Sequence, residues 1–547
     1  MTSTPTASDR LHLARNGTAG DGYVPFPAAD ADAFRAAGYW TGRPLDDLLR
    51  ATARQHPDRT ALLEGDGGRS YAQLDADADR MAHGLIALGI APGDRVVVQL
   101  PNVPEFATVL FGLLRAGIIP VLTLPAHRRA EIEHLARLSG AVAYLIADRL
   151  GDFDYRDLAA TVQQSVPTVR HVLVLGDPGT FTDLNSVPRN GDSLPTIDPS
   201  DIALMLVSGG TTGLPKLIAR THDDYVYNAT ASAEVCELTE ADVYLATLPA
   251  AHNFPLACPG ILGTIGVGGA IAFLTDPSPE NAFAVIERHR VTVTAVVPPL
   301  AQLWCAATEW EEADLGSLRL LQVGGARLAE VNARDVEPAL GVRLQQVFGM
   351  AEGLLNYTRL DDSADTVCTT QGRPLSAADE VRVVDADGND VAPGAEGELL
   401  TKGPYTIRGY YRAPEHNARA FTPDGYYRSG DLVRRLPTGH LIVSGRIKDV
   451  INRGGENISC DELEEHLLAH PAVRHAAAVG RPDAALGEKV CAVLVVDAAM
   501  PTLAEVKTFL TDRGLATYKL PDLLRQADSL PLTAVGKIDK KALRAEA

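Results

Sequence analysis

The chain has 547 residues, 46% of them apolar, with 50 Lys and Arg against 70 Asp and Glu for a formal charge of −20. That length exceeds a single hydrophobic core and implies two or more domains, and the lack of a dense basic run argues against a nucleic-acid partner. Six cysteines, Cys236, Cys258, Cys305, Cys368, Cys460 and Cys491, stand singly with no Cys-x-x-Cys pair, which argues against a zinc site or a disulfide framework.

The stretch up to about Gly22 is polar and does not read as a secretory signal. Residues 95–100 form a strand pattern, 103–116 a helix and 118–124 another strand, and the order recurs through strands at 141–146 and 171–175. Such alternation predicts parallel α/β sheets. An apolar strand at 203–207 runs into Ser208-Gly209-Gly210-Thr211-Thr212-Gly213-Leu214-Pro215-Lys216. Glycines let backbone N–H groups close on an anion and the hydroxyls add donors, so this loop is suited to phosphate. It is not a Walker A loop, because no Gly-Lys-Ser/Thr follows. Residues 261–273 are the most apolar segment, yet glycine-rich and too short to cross a bilayer. No membrane span is expected, and the reading is of a cytoplasmic enzyme.

Strands at 291–297 and 320–323 continue the α/β pattern, and the second ends in Gly324-Gly325-Ala326, where a flat base can lie on the backbone. After a strand at 344–347, Phe348-Gly349-Met350-Ala351-Glu352-Gly353 sets a carboxylate between small residues, a natural magnesium ligand beside triphosphate oxygens. From 381 to 400 short strands alternate with Asp-Gly and Pro-Gly turns, predicting a small β unit. Tyr426-Tyr427-Arg428-Ser429-Gly430-Asp431-Leu432 reads as a tight turn followed by an exposed aspartate able to accept both ribose hydroxyls. Beyond Gly445-Arg446-Ile447-Lys448-Asp449, helices at 462–470 and 503–513 and strands at 473–479 and 489–496 predict a small α+β domain. No low-complexity linker precedes it, so the boundary near Lys448 is expected to be tight.

Loop 208–216, segment 348–353, Asp431, segment 445–449 and Pro531-Leu532-Thr533-Ala534-Val535-Gly536-Lys537 resemble, in order, the motifs of the adenylate-forming superfamily. That superfamily comprises acyl-CoA synthetases, luciferases and peptide-synthetase adenylation domains, and the resemblance runs from about residue 39 to 540. It implies an N-terminal core, 1–447, of parallel-sheet α/β subdomains plus the small β unit, and a mobile α+β lid, 448–547, hinged at Lys448. It also implies two half-reactions. A carboxylate attacks the α-phosphate of ATP and pyrophosphate leaves; a thiol then attacks the acyl-adenylate and AMP leaves. ATP contacts are implied for Ser208, Gly209, Gly210, Thr211, Thr212, Gly213, Lys216, Gly324, Gly325, Ala326, Asp431 and Arg446, with Mg2+ on Glu352 and catalytic roles for Lys537, His252 and Lys448. Attack of an anion on a phosphate needs charge neutralisation and alignment, which a mobile cation at Lys537 suits.

Ala251-His252-Asn253-Phe254-Pro255-Leu256-Ala257-Cys258-Pro259-Gly260, Tyr39-Trp40 and segment 353–362 resemble the stand-alone aryl acid ligases of siderophore pathways, which activate dihydroxybenzoate or salicylate. This implies that Asn253 hydrogen-bonds the ring 2-hydroxyl. No aspartate of the kind that holds an amino acid's ammonium occurs in the segment, and an amide suits a neutral hydroxyl. Phe254 and Leu355 would pack on the ring, with His252, Cys258, Val347 and Gly349 completing the pocket. Relatives using 2,3-dihydroxybenzoate carry Ser and Val where Cys258 and Leu355 stand, so the ring 3-position here is drier and smaller, favouring salicylate or a substituted salicylate. 2,3-Dihydroxybenzoate and 3-hydroxypicolinate stay open. No carrier motif follows Lys537, so the acceptor thiol is expected on another molecule, the phosphopantetheine arm of an aryl carrier protein or coenzyme A. A luciferase-like oxidative enzyme finds no support in the pocket, and a non-catalytic binding module of the same fold sits poorly with intact Glu352, Asp431, Lys448 and Lys537.

Overall fold

Arg95–Gln99, Ala143–Ala147 and His171–Leu175 are apolar toward both faces, the pattern of parallel strands covered by helices on each side. They lie in a seven-stranded sheet ordered Leu217–Thr221, Ile202–Val207, Ile119–Leu122, Arg95–Gln99, Ala143–Ala147, His171–Leu175, Thr182–Asp183. Every pairing in it is parallel except the hairpin between Ile202–Val207 and Leu217–Thr221. The computed structural model describes residues 22–187, 193–208, 215–453, 456–483, 486–497, 499–513, 515 and 517–546.

A second, nine-stranded sheet has a parallel centre: Arg343–Gly349, Leu320–Gly324, Val293–Val296, Val243–Ala246, Ala270–Phe273 and Thr60–Glu64. Antiparallel strands close both edges, Leu355–Tyr357 and Arg373–Pro374 on one side and Gly67–Ser70 on the other. The apolar segment 261–273 is divided between a helix, Gly260–Val267, and the strand Ala270–Phe273, with Gly268 between them at φ 86°. Among the described residues no helix is long and apolar enough to cross a membrane.

The small β unit is an antiparallel meander of Glu380–Val384, Glu396–Lys402, Tyr427–Arg435 and Leu441–Arg446. Here the structure corrects one expectation. Residues around Ser429-Gly430 form no reversal; they lie inside the nine-residue strand Tyr427–Arg435, and their turn-like composition is absorbed by a register shift in the ladder.

The chain leaves this meander through a three-residue 3-10 turn, Ile447–Asp449, which holds Lys448, and enters the last sheet at Val450. That sheet joins Glu456–Ser459, Val450–Arg453, Gly487–Val496 and Val473–Asp483, with Leu523–Gln526 parallel to Gly487–Val496. Alternate residues of Val473–Asp483 point to opposite faces. Ala476 and Ala478 pack under helices Cys460–Leu468 and Leu503–Asp512, whereas Ala477 and Val479 meet Leu543 of the terminal helix Lys540–Glu546. This unit therefore has a core of its own.

Candidate active site

Strand Ile202–Val207 delivers Ser208, and the hairpin returns at Lys216. The Ser208 N–H donates to the Lys216 carbonyl (2.9 Å) and the Lys216 N–H to Ser208 Oγ (3.0 Å), so the two ends of the loop are stapled. Gly209, Gly210, Thr211, Thr212 and Gly213 lie outside the described residues. Lys216 Nζ stands 5.6 Å from the Tyr410 ring centroid. The Tyr410 hydroxyl donates to Glu352 Oε1 (2.6 Å) and receives the Tyr427 hydroxyl (2.9 Å). Burial, then the Glu352 charge, drives the Tyr410 hydroxyl far above its ordinary range, so it remains a donor. The turn carrying Glu352 is fixed from behind: Ile407 N–H donates to the Glu352 carbonyl (2.8 Å) and Arg220 to that of Ala351 (2.9 Å). No helix follows Glu352; the next element is the strand Leu355–Tyr357.

Asp431 is 3% exposed, not the exposed residue expected from its neighbours. It is the register partner of Arg446 across the meander, and Arg446 Nε donates to its Oδ1 (2.7 Å). The Asp431 charge holds the Arg446 guanidinium well above its usual range. Oδ2 of Asp431 enters no bond among the described residues, leaving one oxygen to accept from a ligand.

Lys537 reaches this centre from the far end of the chain. Its loop is a small hairpin: Thr533 N–H donates to the Lys537 carbonyl (2.6 Å), Lys537 N–H to Thr533 Oγ1 (3.2 Å), and Leu532 bridges Ile538. Gly536, at φ 78°, lies so close to Val297 that a Cβ would sit 2.9 Å from Val297 Cγ2. A Cβ on Gly325 would meet Lys537 Cε at 3.3 Å, so the lysine stem lies along the Gly324-Gly325 floor. Burial pushes the Lys537 ammonium down to about 8, helped by the Arg446 charge and opposed by Asp431 and Glu352. His252 is pushed down to about 3 by burial and by Lys537, so its ring is neutral at physiological pH. His252 Nδ1 accepts the Phe254 N–H (3.2 Å), capping helix Asn253–Ala257 and leaving the ring proton on Nε2.

That cap frees Asn253 for other work. Asn253 is buried; its Oδ1 accepts the Tyr225 hydroxyl (2.8 Å) and its Nδ2 donates to Cys258 Sγ (3.4 Å). The second contact is to sulfur, a weak acceptor. Burial raises the Cys258 thiol to about 12, so it stays uncharged. Phe254 lies on Gly324: a Cβ there would meet the Phe254 ring at 3.0 Å and the Val347 carbonyl at 2.6 Å. Leu355 faces Gly349 across the antiparallel register, its Cδ2 only 2.4 Å from where a Gly349 Cβ would be. Phe254, Cys258, Val347 and Leu355 belong to one continuous apolar cluster. The composition of this segment points to Asn253, but nothing in it points to Tyr225 or Tyr410, which arrive from 28 and 58 residues away from their partners. Ala326 is exposed at the end of the floor. Lys448 is present through its backbone turn alone, since its side chain lies outside the described atoms.

Beside Gly536 a cavity of about 500 Å3 opens between the two units, walled by Thr247, Pro249, Val297 and Leu300 and roofed by Leu532 and Ala534.

Comparison with known proteins adds the family, two relatives and a solved structure. A family profile described as AMP-binding enzyme matches residues 49–411, and that of the AMP-binding enzyme C-terminal domain matches 462–537. The chain is 56% identical to a salicyl-AMP ligase / salicyl-S-ArCP synthetase of Mycobacterium tuberculosis, over 98% of this chain and 97% of that protein. It is 50% identical to a 2,3-dihydroxybenzoate-AMP ligase of Bacillus subtilis, covering 96% and 97% respectively. Among solved structures, the apo structure of Mycobacterium smegmatis MbtA is 57% identical, with a TM-score of 0.75 over 96% of this chain and 99% of that one.

Proposed function

The chain belongs to the AMP-binding enzyme family, whose adenylate-forming ligases use ATP, and we propose that it activates salicylate or a substituted salicylate as the aryl-adenylate and passes the aryl group to the phosphopantetheine thiol of an aryl carrier protein. The observation that carries this reading is the position of Lys537. It lies on Gly325, one residue from the glycine that floors the Phe254 ring, which supports a lysine reaching both the nucleotide and the aryl acid.

The pocket accounts for the acid. Tyr225 pins the Asn253 carbonyl, which leaves the amide Nδ2 as the donor, only weakly held by the Cys258 sulfur. An ortho-hydroxyl oxygen accepts from Asn253 Nδ2, and the ring slides between Phe254 and Leu355. A ring 3-hydroxyl would face the Cys258 thiol, a poor partner, which favours salicylate over 2,3-dihydroxybenzoate.

In the first half-reaction the aryl carboxylate oxygen attacks the α-phosphorus of ATP, and the bond to the bridging oxygen of pyrophosphate breaks. Lys537 spans the carboxylate and the phosphate or ribose oxygens and is protonated at neutral pH. His252 offers its Nε2–H, the stapled 208–216 loop holds phosphate oxygens, and Asp431 Oδ2 accepts from the ribose. Glu352 fits a magnesium ion, since Oε1 is held by Tyr410 while Oε2 enters no bond among the described residues. When bound there, the ion supplies charge neutralisation on the phosphates. In the second half-reaction the acceptor thiol gives its proton to solvent, its sulfur attacks the acyl carbon, and AMP leaves with the carboxyl–phosphate oxygen. Residues 448–547 act as a lid on 1–447 and turn about Lys448 between the two steps. The cavity roofed by Leu532 and Ala534 supports an approach for a long flexible thiol arm once the lid has turned. Six unpaired cysteines fit a reducing cytoplasm.

The test is aryl-acid-dependent exchange of labelled pyrophosphate into ATP across benzoate, salicylate, 3-hydroxypicolinate and 2,3-dihydroxybenzoate, followed by thioester formation on a phosphopantetheinylated carrier protein and on coenzyme A. Salicylate is expected to give the highest kcat/KM and the carrier the faster thioester. Exchange with none of these acids would refute the reading.

A further inference from the structure

Among the described residues one ion pair joins the two units, and the chemistry above does not use it. Arg327 follows Gly324-Gly325-Ala326 directly, and its Nη2 lies 2.9 Å from Glu465 Oε2 on the lid helix Cys460–Leu468. The two side chains are only 17% and 31% exposed, so the pair escapes much of the screening that makes surface ion pairs weak. The neighbouring acids of that helix are spent inside the lid: Asp461 and Glu464 on Lys540 (3.0 and 2.9 Å), and Glu462 on Lys519 (2.7 Å). Glu465 alone among them crosses to the body. On the other side, among the described residues Glu465 is the one side-chain partner of Arg327, and Arg327 Nε is buried with none. The guanidinium therefore depends on the lid for its compensation.

We propose that Arg327–Glu465 is a latch that holds the lid in the adenylate-forming pose. Arg327 lies two residues beyond Gly325, on which Lys537 rests, so the latch and the lysine grip the same loop from two points. Turning the lid about Lys448 separates the pair. A contact made in one pose only shifts the balance between poses by its own free energy, and leaves the affinity of the pocket for its acid untouched. Arg327 and Glu465 are thus positioning residues for Lys537. The inference rests on the proposed two-step reaction with a moving lid.

The experiment compares wild type, Glu465→Gln, Glu465→Asp and the swapped pair Arg327→Glu/Glu465→Arg. Each is assayed for salicylate-dependent pyrophosphate exchange and for single-turnover thioester formation from pre-made salicyl-adenylate. Glu465→Gln is expected to lower kcat for exchange roughly three- to thirtyfold, the range of a partly buried charge pair, at unchanged KM for salicylate. Thioester formation should stay within about twofold of wild type, because the latch is open in that step. The swapped pair should recover most of the exchange rate, and Glu465→Asp should fall between wild type and Glu465→Gln. Equal loss in both half-reactions, unchanged exchange in Glu465→Gln, or a folded swap that recovers nothing would overturn the latch. If the swap does not fold, Glu465→Asp decides: a value no better than Glu465→Gln overturns it. Absence of exchange in the wild type would instead refute the proposed function.

Discussion

The proposed aryl pocket and the loop of the proposed lid meet at Gly324-Gly325, yet they are built in opposite ways. The pocket is interior to the body. Asn253 is tied to Tyr225 and Cys258, Phe254 is wedged on Gly324, and Leu355 presses on Gly349, all within one apolar core. Lys537 belongs to a unit with a separate core, and among the described residues its contacts to the body include Lys537 on Gly325, Gly536 on Val297, Ser459 Oγ on the Ser444 carbonyl (2.5 Å), and Arg327 with Glu465. A site built into one close-packed core resists movement, whereas a group carried by a separate core can leave as a unit. The division of labour follows. On the proposed function, the choice of acid would reside in the close-packed region and the choice of half-reaction in the lid, so substitutions should separate the two.

The sharpest break is at Lys537. Lys537→Ala should lower pyrophosphate exchange by ~10²–10³-fold, the scale of one lost electrostatic group at a reacting centre, while sparing thioester formation from pre-made adenylate. Equal loss of both half-reactions would dissolve the contrast. Lys448→Pro should do the reverse, because a locked φ in the Ile447–Asp449 turn blocks the lid from turning; rapid thioester turnover in that variant would remove the hinge.

On the pocket side, salicylate should exceed benzoate by roughly ten- to a hundredfold in kcat/KM, and Asn253→Ala should shrink that ratio without altering the balance of half-reactions. Equal use of the two acids by wild type would show Asn253 to be structural. Cys258→Ser with Leu355→Val should favour 2,3-dihydroxybenzoate by roughly five- to thirtyfold, with effects that need not add, since both side chains border the same ring edge. A wild type that already prefers 2,3-dihydroxybenzoate would reverse the salicylate assignment.

The last effect concerns pH and requires no substitution. Lys537 is held down to about 8, so the cation is present below that value and lost as pH rises through it. Pyrophosphate exchange should fall about tenfold for each pH unit above 8, and thioester formation from pre-made adenylate should lack that limb. His252, held at about 3, should add no limb between pH 5 and pH 9.

Much of the fold was legible from local pattern. Val-rich runs such as Arg95–Gln99 and His171–Leu175 announce strands buried on both faces, and the change of texture after Asp449 announces a separate core. Asp431 shows where local pattern misleads. Ser429 and Gly430 have turn chemistry, but the strand Tyr427–Arg435 is held in place by partners across the sheet, and Asp431 is buried against Arg446.

What the residue order determined by itself was the set of elements and the chemical character of the loops: a loop rich in glycine and hydroxyls, a segment with an amide and no carboxylate, a lysine in the last turn-like segment. Each of these depends on residues within a few positions of one another. The tertiary structure alone decided which groups meet. Tyr225 on Asn253, Tyr410 on Glu352, Arg327 on Glu465 and Lys537 on Gly325 all join segments distant in the chain. Periodicity and turn chemistry act between near neighbours, whereas these contacts exist only once sheets and lid have packed, and no local signal encodes them.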